Sequence, residues 1–167
     1  MFQELNAKQL QENVFSLLDD RWTLITAGTK DHCNTMTAAW GGLGVLWRKN
    51  VATIYVRPQR YTFEFLENHD WFTLSFFGPE WRKALAHCGA VSGRDEDKFA
   101  ACGFTVEAAE GDQAPYIGEA SLVLVCRKVY WDDLEPSHMD PIAMEHYQGQ
   151  DYHRMYVGEI TKVLKKG

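Results

Sequence analysis

The sequence predicts a mainly β fold with short helices, built as a barrel rather than as a layered α/β sheet. Several segments alternate apolar and polar residues with the period of two that strands show. The predicted helices between them are short, and strands do not alternate with long helices as in parallel βαβ units. A length of 167 residues suits one domain, so we expect residues 1–167 to form a single unit.

Five strands are predicted along the chain. Their approximate ranges are Trp22–Thr26, Val51–Val56, Trp71–Phe77, Ser121–Trp131 and Tyr156–Leu164. The run that begins at Ser121 is continuously apolar and predicts a buried strand. Because glycine weakens a regular strand, Gly158 predicts a bulge or kink in the last one.

Four helices are predicted. The first is N-terminal and capped by Asn6, because four apolar residues share one helical face: Leu10, Val14, Leu17 and Leu18. The others are short and span residues 61–68, 79–87 and 94–102. Gly89 and Gly103 suit the ends of the last two helices, and Ser92 with Asp95 resembles a capping box before the last.

The segment from Asp132 to Asp151 shows neither the helical nor the strand period. It is acidic and contains two prolines. A structureless loop of this length is uncommon in a compact domain unless it has a function. We therefore expect a functional flap or a loop that contacts a partner, and we call residues 132–151 the acidic loop.

Composition excludes several classes of protein. A net charge of −6 argues against binding to nucleic acid or to an anionic membrane. The sequence shows no signal-peptide pattern and no apolar run of the roughly 18 residues that would indicate a membrane span. The four cysteines have no metal-ligand spacing, so we expect free thiols and a cytoplasmic location: Cys33, Cys88, Cys102 and Cys126.

The segment Asn34–Gly42 has a composition suited to a flat heterocyclic ring. Small and hydroxyl-bearing residues lead to Trp40 and then to two glycines, which let a ligand approach the backbone closely. Main-chain N–H and C=O groups suit the polar edge of a flavin, and Met36 or Trp40 suits its apolar edge. From this segment alone, a strand end followed by a glycine turn is an equally good interpretation.

The segment Val56–Glu64 is typical of a phosphate site. A strand ends, a proline makes a turn, and a helix begins whose free N–H groups favour an anion. Arg57 and Arg60 add two guanidinium groups to a chain of net negative charge. Alternatively, the two arginines pair on the surface with Glu64 or Glu67.

Other motifs narrow the chemistry. Glycine-rich nucleotide motifs are absent, so neither a Rossmann dinucleotide site nor a P-loop is predicted. His153 precedes the last strand, where an imidazole can orient a nicotinamide or donate to a flavin, although a structural histidine is more common. Four residues of the acidic loop lack metal-ligand spacing, and no metal site is predicted from them: His138, Asp140, Glu145 and His146.

Four motifs in order resemble the flavin reductase-like, flavoredoxin-type family of FMN-binding split barrels. They are Asn34–Trp40, Arg57–Thr62, Cys88–Phe99 and Tyr152–Ile160. The resemblance extends from about Val14 to Val163, and the acidic loop is the part that departs from the family pattern.

The resemblance implies a Greek-key split β-barrel that forms a homodimer, with one FMN per subunit and NAD(P)H as co-substrate. His153 would be the catalytic residue on the nicotinamide side. The residues implied to contact FMN are Asn34, Thr35, Met36, Thr37, Ala38, Ala39 and Trp40 along the ring, Arg57, Arg60, Tyr61 and Thr62 at the phosphate and ribityl chain, Phe76 and Phe77 near the ring, and Ser92, Gly93 and Lys98 as a cover.

We therefore expect an FMN-binding oxidoreductase that passes a hydride from NAD(P)H to FMN and electrons to an unidentified acceptor. Hydride transfer between the two cofactors needs no general base, which agrees with the absence of a catalytic triad motif. One alternative is a flavoredoxin-type electron carrier, reduced by a partner protein at the acidic loop. The other is a non-redox barrel that binds a small molecule.

Overall fold

The structure, a computed structural model, describes residues 1–167 as mainly antiparallel β structure with short helices, as predicted. The strands are β1 (Phe2–Leu5), β2 (Thr23–Gly28), β3 (Cys33–Ala38), β4 (Gly41–Leu46), β5 (Lys49–Val56), β6 (Trp71–Phe76), β7 (Val106–Ala109), β8 (Ala114–Ile117), β9 (Leu122–Asp133) and β10 (Arg154–Lys166). The α-helices are α1 (Tyr61–Asn68), α2 (Arg82–Ala90), α3 (Lys98–Cys102) and α4 (Pro141–Met144). No helix combines the length and the apolar character needed to cross a membrane.

Eight strands form one sheet that curls into a barrel with an open seam. Seven follow the order β3-β2-β6-β9-β10-β5-β4, and β1 pairs with the C-terminal end of β10. The two edge strands of this order, β3 and β4, are consecutive in the chain and are joined only by Ala39 and Trp40. The sheet must therefore curl until its edges meet. Because β3 and β4 do not pair with each other, the barrel is split at this seam.

Side chains are buried on both faces of the sheet, as the continuous apolar run of β9 predicts. Leu122, Leu124 and Cys126 enter a core cluster that includes residues of α1 and of most strands. Val123 and Val125 enter a second cluster, which packs against α2 and β8. Successive residues of a strand point to opposite faces, so an unbroken apolar run indicates burial on both.

The predicted irregularity at Gly158 is confirmed. The register between β9 and β10 shifts between Val157 and Gly158, and again between Ile160 and Lys162. A Cβ atom added at Gly158 would lie 2.5 Å from Cζ of Phe72 and 2.8 Å from Cβ of a cysteine in β9. Close packing across the sheet therefore requires glycine at this position.

Of the predicted N-terminal helix, only residues 14–20 are helical, so the prediction is wrong for its first part. Residues 2–5 pair with β10 as a strand, Ala7–Gln9 form a 3₁₀ turn, and Ser16–Asp20 form a π-helical turn. Asn6 is a cap, as predicted, but of the 3₁₀ turn, where its side chain accepts a hydrogen bond from N–H of Lys8 at 2.9 Å. The four apolar residues at helical spacing all pack onto the core, although Leu10 lies outside the helical turn, so their spacing reflects burial rather than one continuous helix.

Of the shorter helices, α1 has the predicted bounds, and two details of the others are wrong. Gly89 lies inside α2, which begins after a 3₁₀ turn and continues to residue 90. Helix α3 begins at Lys98 because Asp97 caps it, accepting from two backbone N–H groups, whereas Ser92 lies in a preceding turn. Gly103 ends α3 with a φ of 70°, as predicted.

Several short elements are not visible in the sequence pattern, among them β1, β4, β7, β8 and α4. Strand β4 is glycine-rich and has low strand propensity, and it joins β5 through Trp47 and Arg48, whose φ angles of 51° and 60° are unusual without glycine or asparagine. The acidic loop was expected to lack structure, which is wrong, since β9 continues to Asp133 and a 3₁₀ turn and α4 follow. These elements contain only three or four residues each, too few to show a period.

Gly158→Ala should lower the free energy of unfolding by about 1–3 kcal/mol, because the new methyl group overpacks the contact with Phe72. Urea denaturation measures this difference. Gly44→Ala is the matched control, since it changes a strand glycine whose Cβ would meet no atom within 4 Å. Equal losses in the two variants would contradict the packing explanation.

Candidate functional site

A cavity of about 260 Å³ opens beside the seam of the barrel. Its lining residues come from β3, the link to β4, β5 with the turn after it, and the residue just before β10. They are Met36, Thr37, Ala38, Ala39, Trp40, Tyr55, Arg57, Arg60 and His153. We call it the seam cavity. The fold thus brings together residues 36–40 of the segment Asn34–Gly42, both arginines and His153. Tyr55 is the member that sequence analysis missed, although the period of β5 places it on the face opposite to Ile54 and Val56.

Arg60 supplies a buried cation that nothing neutralises. Its Nη2 atom is buried and has no hydrogen-bond partner. Burial lowers the pKa of this guanidinium, because the charged form loses hydration. The alternative pairing with glutamates is not found, since Glu64 pairs with Arg94 at 2.6 Å and Glu67 with Arg154 at 3.0 Å. Arg60 therefore keeps a free donor for an anion.

Arg57 is held by the acidic loop. Its Nη2 atom donates to the carbonyl oxygen of His146 at 2.8 Å, and its guanidinium lies 4.9 Å from the ring centre of Tyr147. No carboxylate forms an ion pair with Arg57. This arginine adds positive charge to the seam cavity, but part of its hydrogen-bonding capacity is already used.

Lys98 is a buried cation that links β3, which lines the seam cavity, to α2. It is 3% exposed, and Nζ donates to the carbonyl oxygens of Thr35 and Cys88, each at 2.8 Å. Burial, with a further contribution from the charge of Arg60, lowers the pKa of Lys98 to about 8. The ammonium group is therefore used to anchor β3 to α2, while its charge strengthens the positive potential around Arg60.

Hydrogen bonds fix β3 against its neighbours. The Asn34 side chain donates to Oγ1 of Thr62 at 2.8 Å, which joins β3 to the first turn of α1. Oγ1 of Thr35 donates to a β2 carbonyl oxygen at 3.1 Å, and Oγ1 of Thr37 donates to the carbonyl oxygen of Leu85 at 2.5 Å. Because these polar side chains are used to position the strand, a ligand would bind to the backbone groups on the edge of β3 that does not face β2.

A second cavity, of about 390 Å³, lies next to this region and is lined in part by Asn34, Tyr61, Gly93 and Lys98. A Cβ atom at Gly93 would lie 2.0 Å from Oδ1 of Asn34, so glycine is what allows the backbone to lie this close to the Asn34 side chain. Ser92 accepts a hydrogen bond from N–H of Arg94 at 3.2 Å and stabilises the turn before α3.

Phe76 and Phe77 are not on the seam cavity. They are 0% and 2% exposed and belong to the two different core clusters. As neighbours in the chain at the end of β6, they point to opposite sides of the sheet, and both sides are packed. The structure gives these two residues a place in the core and does not bring them to the other implied cofactor residues.

His153 is buried at the edge of the seam cavity. It is 7% exposed, its Nδ1 atom lies 2.5 Å from the hydroxyl of Tyr147, and its ring centre is 5.3 Å from that of Trp40. Burial, with further contributions from the nearby charges of Arg57 and His146, lowers the pKa of His153 to about 4. At neutral pH the ring is therefore uncharged and can exchange hydrogen bonds without adding charge.

The acidic loop forms the wall of a third cavity, of about 690 Å³, which shares Trp40 with the seam cavity. The loop is tied down at both ends. Asp133 accepts two hydrogen bonds from Arg154 at 2.7 and 2.9 Å, and Gln59, with its amide oriented to donate, bonds the carboxylate of Asp151 at 2.7 and 2.9 Å. The loop is therefore an ordered part of the site's surroundings.

Comparisons with known proteins agree with this geometry. The sequence model of the family described as flavin reductase like domain matches residues 16–166. No curated protein matches the chain significantly. These findings confirm the predicted family.

Solved structures confirm the predicted split-barrel fold. Flavoredoxin from Methanosarcina acetivorans is 26% identical with a TM-score of 0.69, over 98% of this chain and 75% of that one. An FMN-binding domain of a flavin reductases-like enzyme from Shewanella baltica is 18% identical, with a TM-score of 0.70 over 99% and 77%. The NADH:FAD oxidoreductase SgcE6 from Streptomyces globisporus is 20% identical, with a TM-score of 0.64 over 87% and 75%.

The lowered pKa of His153 makes stability depend on pH. Between about pH 6.5 and 4 the unfolded chain binds a proton at this residue that the folded protein does not, so stability falls as the pH falls through this range. The contribution of one such group is at most about 1.4 kcal/mol per pH unit. Urea denaturation of wild type and His153→Gln across this range should show a shallower pH dependence in the variant.

His138→Gln is the control for this experiment, because His138 is an exposed histidine of the acidic loop. It should retain the wild-type pH dependence. The same slope in all three proteins would show that His153 is not protected from protonation in the folded state.

Proposed function

Because the chain belongs to the flavin reductase-like domain family, we propose that it is an FMN-binding oxidoreductase with NAD(P)H as hydride donor. The observation that carries this proposal is the state of Arg60, which lines the seam cavity and whose buried Nη2 atom has no hydrogen-bond partner. A buried cation without a carboxylate is costly, and an anionic ligand group offsets that cost.

The phosphate of FMN fits this donor set. Arg60 offers an unused N–H group, Arg57 adds a second positive charge, and the first turn of α1 begins directly after Arg60 with Tyr61 and Thr62. Free N–H groups in the first turn of a helix and guanidinium forks both favour a phosphate. The protein groups here are donors and cations, as a dianion requires.

The ring of FMN fits the edge of β3. This strand pairs only with β2, so the N–H and C=O groups on its other side have no strand partner. These groups run along Met36–Ala38 at the wall of the seam cavity, with Trp40 as an apolar surface at its end. A flat heterocycle with hydrogen-bonding atoms on one edge matches this combination. At about 260 Å³ the seam cavity is slightly smaller than a typical ligand pocket of roughly 300–1,000 Å³, so the cofactor would extend beyond it.

FMN, when bound, supplies the redox chemistry, since its ring accepts a hydride from a reduced nicotinamide and gives electrons to an acceptor. The contribution of the chain is to hold and shield the reactants. Trp40 and the uncharged His153 form an apolar and weakly polar surface next to the ring position. This surface suits stacking of a nicotinamide and the exclusion of water from the reacting faces.

Arg60→Met should weaken FMN binding by about 10- to 150-fold, the equivalent of the 1.5–3 kcal/mol expected for hydrogen bonds to a charged group. Riboflavin lacks the phosphate, so its affinity should not change. Calorimetric titration of both ligands measures the two effects. Arg127→Met, which removes an exposed arginine on β9, is the control and should bind both ligands like the wild type.

Two results would contradict this role of Arg60. In one, the variant would bind FMN as tightly as the wild type. In the other, FMN and riboflavin would lose affinity to the same extent, which would indicate a structural role for the side chain rather than phosphate binding.

A flavoredoxin-type electron carrier is the second candidate function, favoured by the similarity to the flavoredoxin from Methanosarcina acetivorans. Anaerobic stopped-flow mixing of the FMN-loaded protein with NADH or NADPH distinguishes the two. We expect immediate loss of the visible flavin absorbance, because the hydride passes directly to the ring. Bleaching that requires a separate reductase would instead support the carrier and exclude the direct reaction.

A further inference from the structure

Two cysteines from different helices face each other behind β3. Cys88 lies in α2 and Cys102 is the last residue of α3, and their Sγ atoms are 3.7 Å apart. Both are free thiols in the structure. A disulfide needs an S–S distance of about 2.05 Å, so the sulfur atoms need to approach by roughly 1.7 Å. We propose that Cys88 and Cys102 are a redox modification site. When the protein reacts with a low-molecular-weight disulfide, these two residues form a reversible intramolecular disulfide.

The two thiols differ in access, which sets the order of the reaction. Cys102 is partly exposed, whereas Cys88 is 0% exposed. The thiolate of Cys102 attacks a dissolved disulfide such as glutathione disulfide and displaces one glutathione thiolate. The thiolate of Cys88 then attacks Sγ of Cys102 and displaces the second. The protein loses two electrons and two protons, and one glutathione disulfide becomes two molecules of glutathione.

The surroundings of Cys88 determine how fast the second step is. Burial raises the pKa of Cys88 to about 12, and the neighbouring Cys102 thiol contributes to this shift. The positive charge of Lys98 acts in the opposite direction. Cys88 is therefore mostly a thiol at neutral pH, so the disulfide should form slowly. Under reducing conditions both cysteines should remain free thiols.

Both helices are bonded to the strand that lines the seam cavity. Helix α2 accepts a hydrogen bond from Oγ1 of Thr37 at the carbonyl of Leu85. Lys98 of α3 donates to the carbonyl oxygens of Thr35 and Cys88 at 2.8 Å. A disulfide that draws α2 and α3 together displaces these anchors. We therefore expect weaker FMN binding in the oxidised protein, and this consequence rests on the proposed function.

The disulfide is tested on the full chain with glutathione disulfide, followed by thiol counting after denaturation and peptide mapping. Wild type should lose two of its four thiols and give one cross-linked pair of peptides, Cys88 with Cys102, which dithiothreitol reverses. Cys102→Ser should give no cross-link. Cys33→Ser is the matched control, since Cys33 is also partly exposed, and it should behave like the wild type.

Four unchanged thiols in the wild type would overturn the proposal, as would a cross-link that joins any other pair of its cysteines. FMN titration of the oxidised and reduced wild type tests the coupling, with an expected loss of affinity of about 5-fold or more on oxidation. Equal affinities would refute the coupling. If neither form bound FMN, the proposed function would fail, while the thiol count would still decide whether the disulfide forms.

Discussion

The pairing of β10 with β5, and of β5 with β4, is the constraint on which the candidate site depends. Arg154 lies opposite Val56, which puts His153 beside Arg57, and Gly41 lies opposite Ile54, which puts Trp40 beside Tyr55. A shift of one residue in either register would turn these side chains to the other face of the sheet. The hairpin of β4 and β5, together with the distant strand β10, thus defines one wall of the seam cavity.

The candidate site is positively charged, although the chain as a whole carries a net negative charge. The net charge is −6, yet Arg57, Arg60 and Lys98 are gathered behind and beside one strand edge without a carboxylate paired to them. Burial lowers the pKa of Arg60 and of Lys98, which shows that the fold tolerates charge at a cost to its own stability. Such local costs are expected where a ligand completes the interactions.

Helices α2 and α3 connect this region to the second core cluster. Leu85 and Cys88 pack in that cluster, while the carbonyl oxygens of the same two residues accept hydrogen bonds from Thr37 and Lys98. The position of β3 therefore depends on packing behind it as well as on strand pairing. A disulfide between Cys88 and Cys102 would act on the seam cavity through these hydrogen bonds to β3, rather than through general flexibility.

The long regular elements and the family could be predicted from the sequence: alternation marks β2, β5, β6 and β10, a continuous apolar run marks β9, and the order of motifs identifies the family. The sequence pattern does not show β4, whose glycines carry no strand signal, or the course of residues 1–20, where pairing of residues 2–5 with β10 and contacts of residues 10–18 with the core decide the conformation. The folded structure was needed to show that Nη2 of Arg60 has no partner while Arg57 is held by the acidic loop, and that Phe76 and Phe77 lie in the core. Those distinctions depend on contacts between residues far apart in sequence, which local composition does not encode.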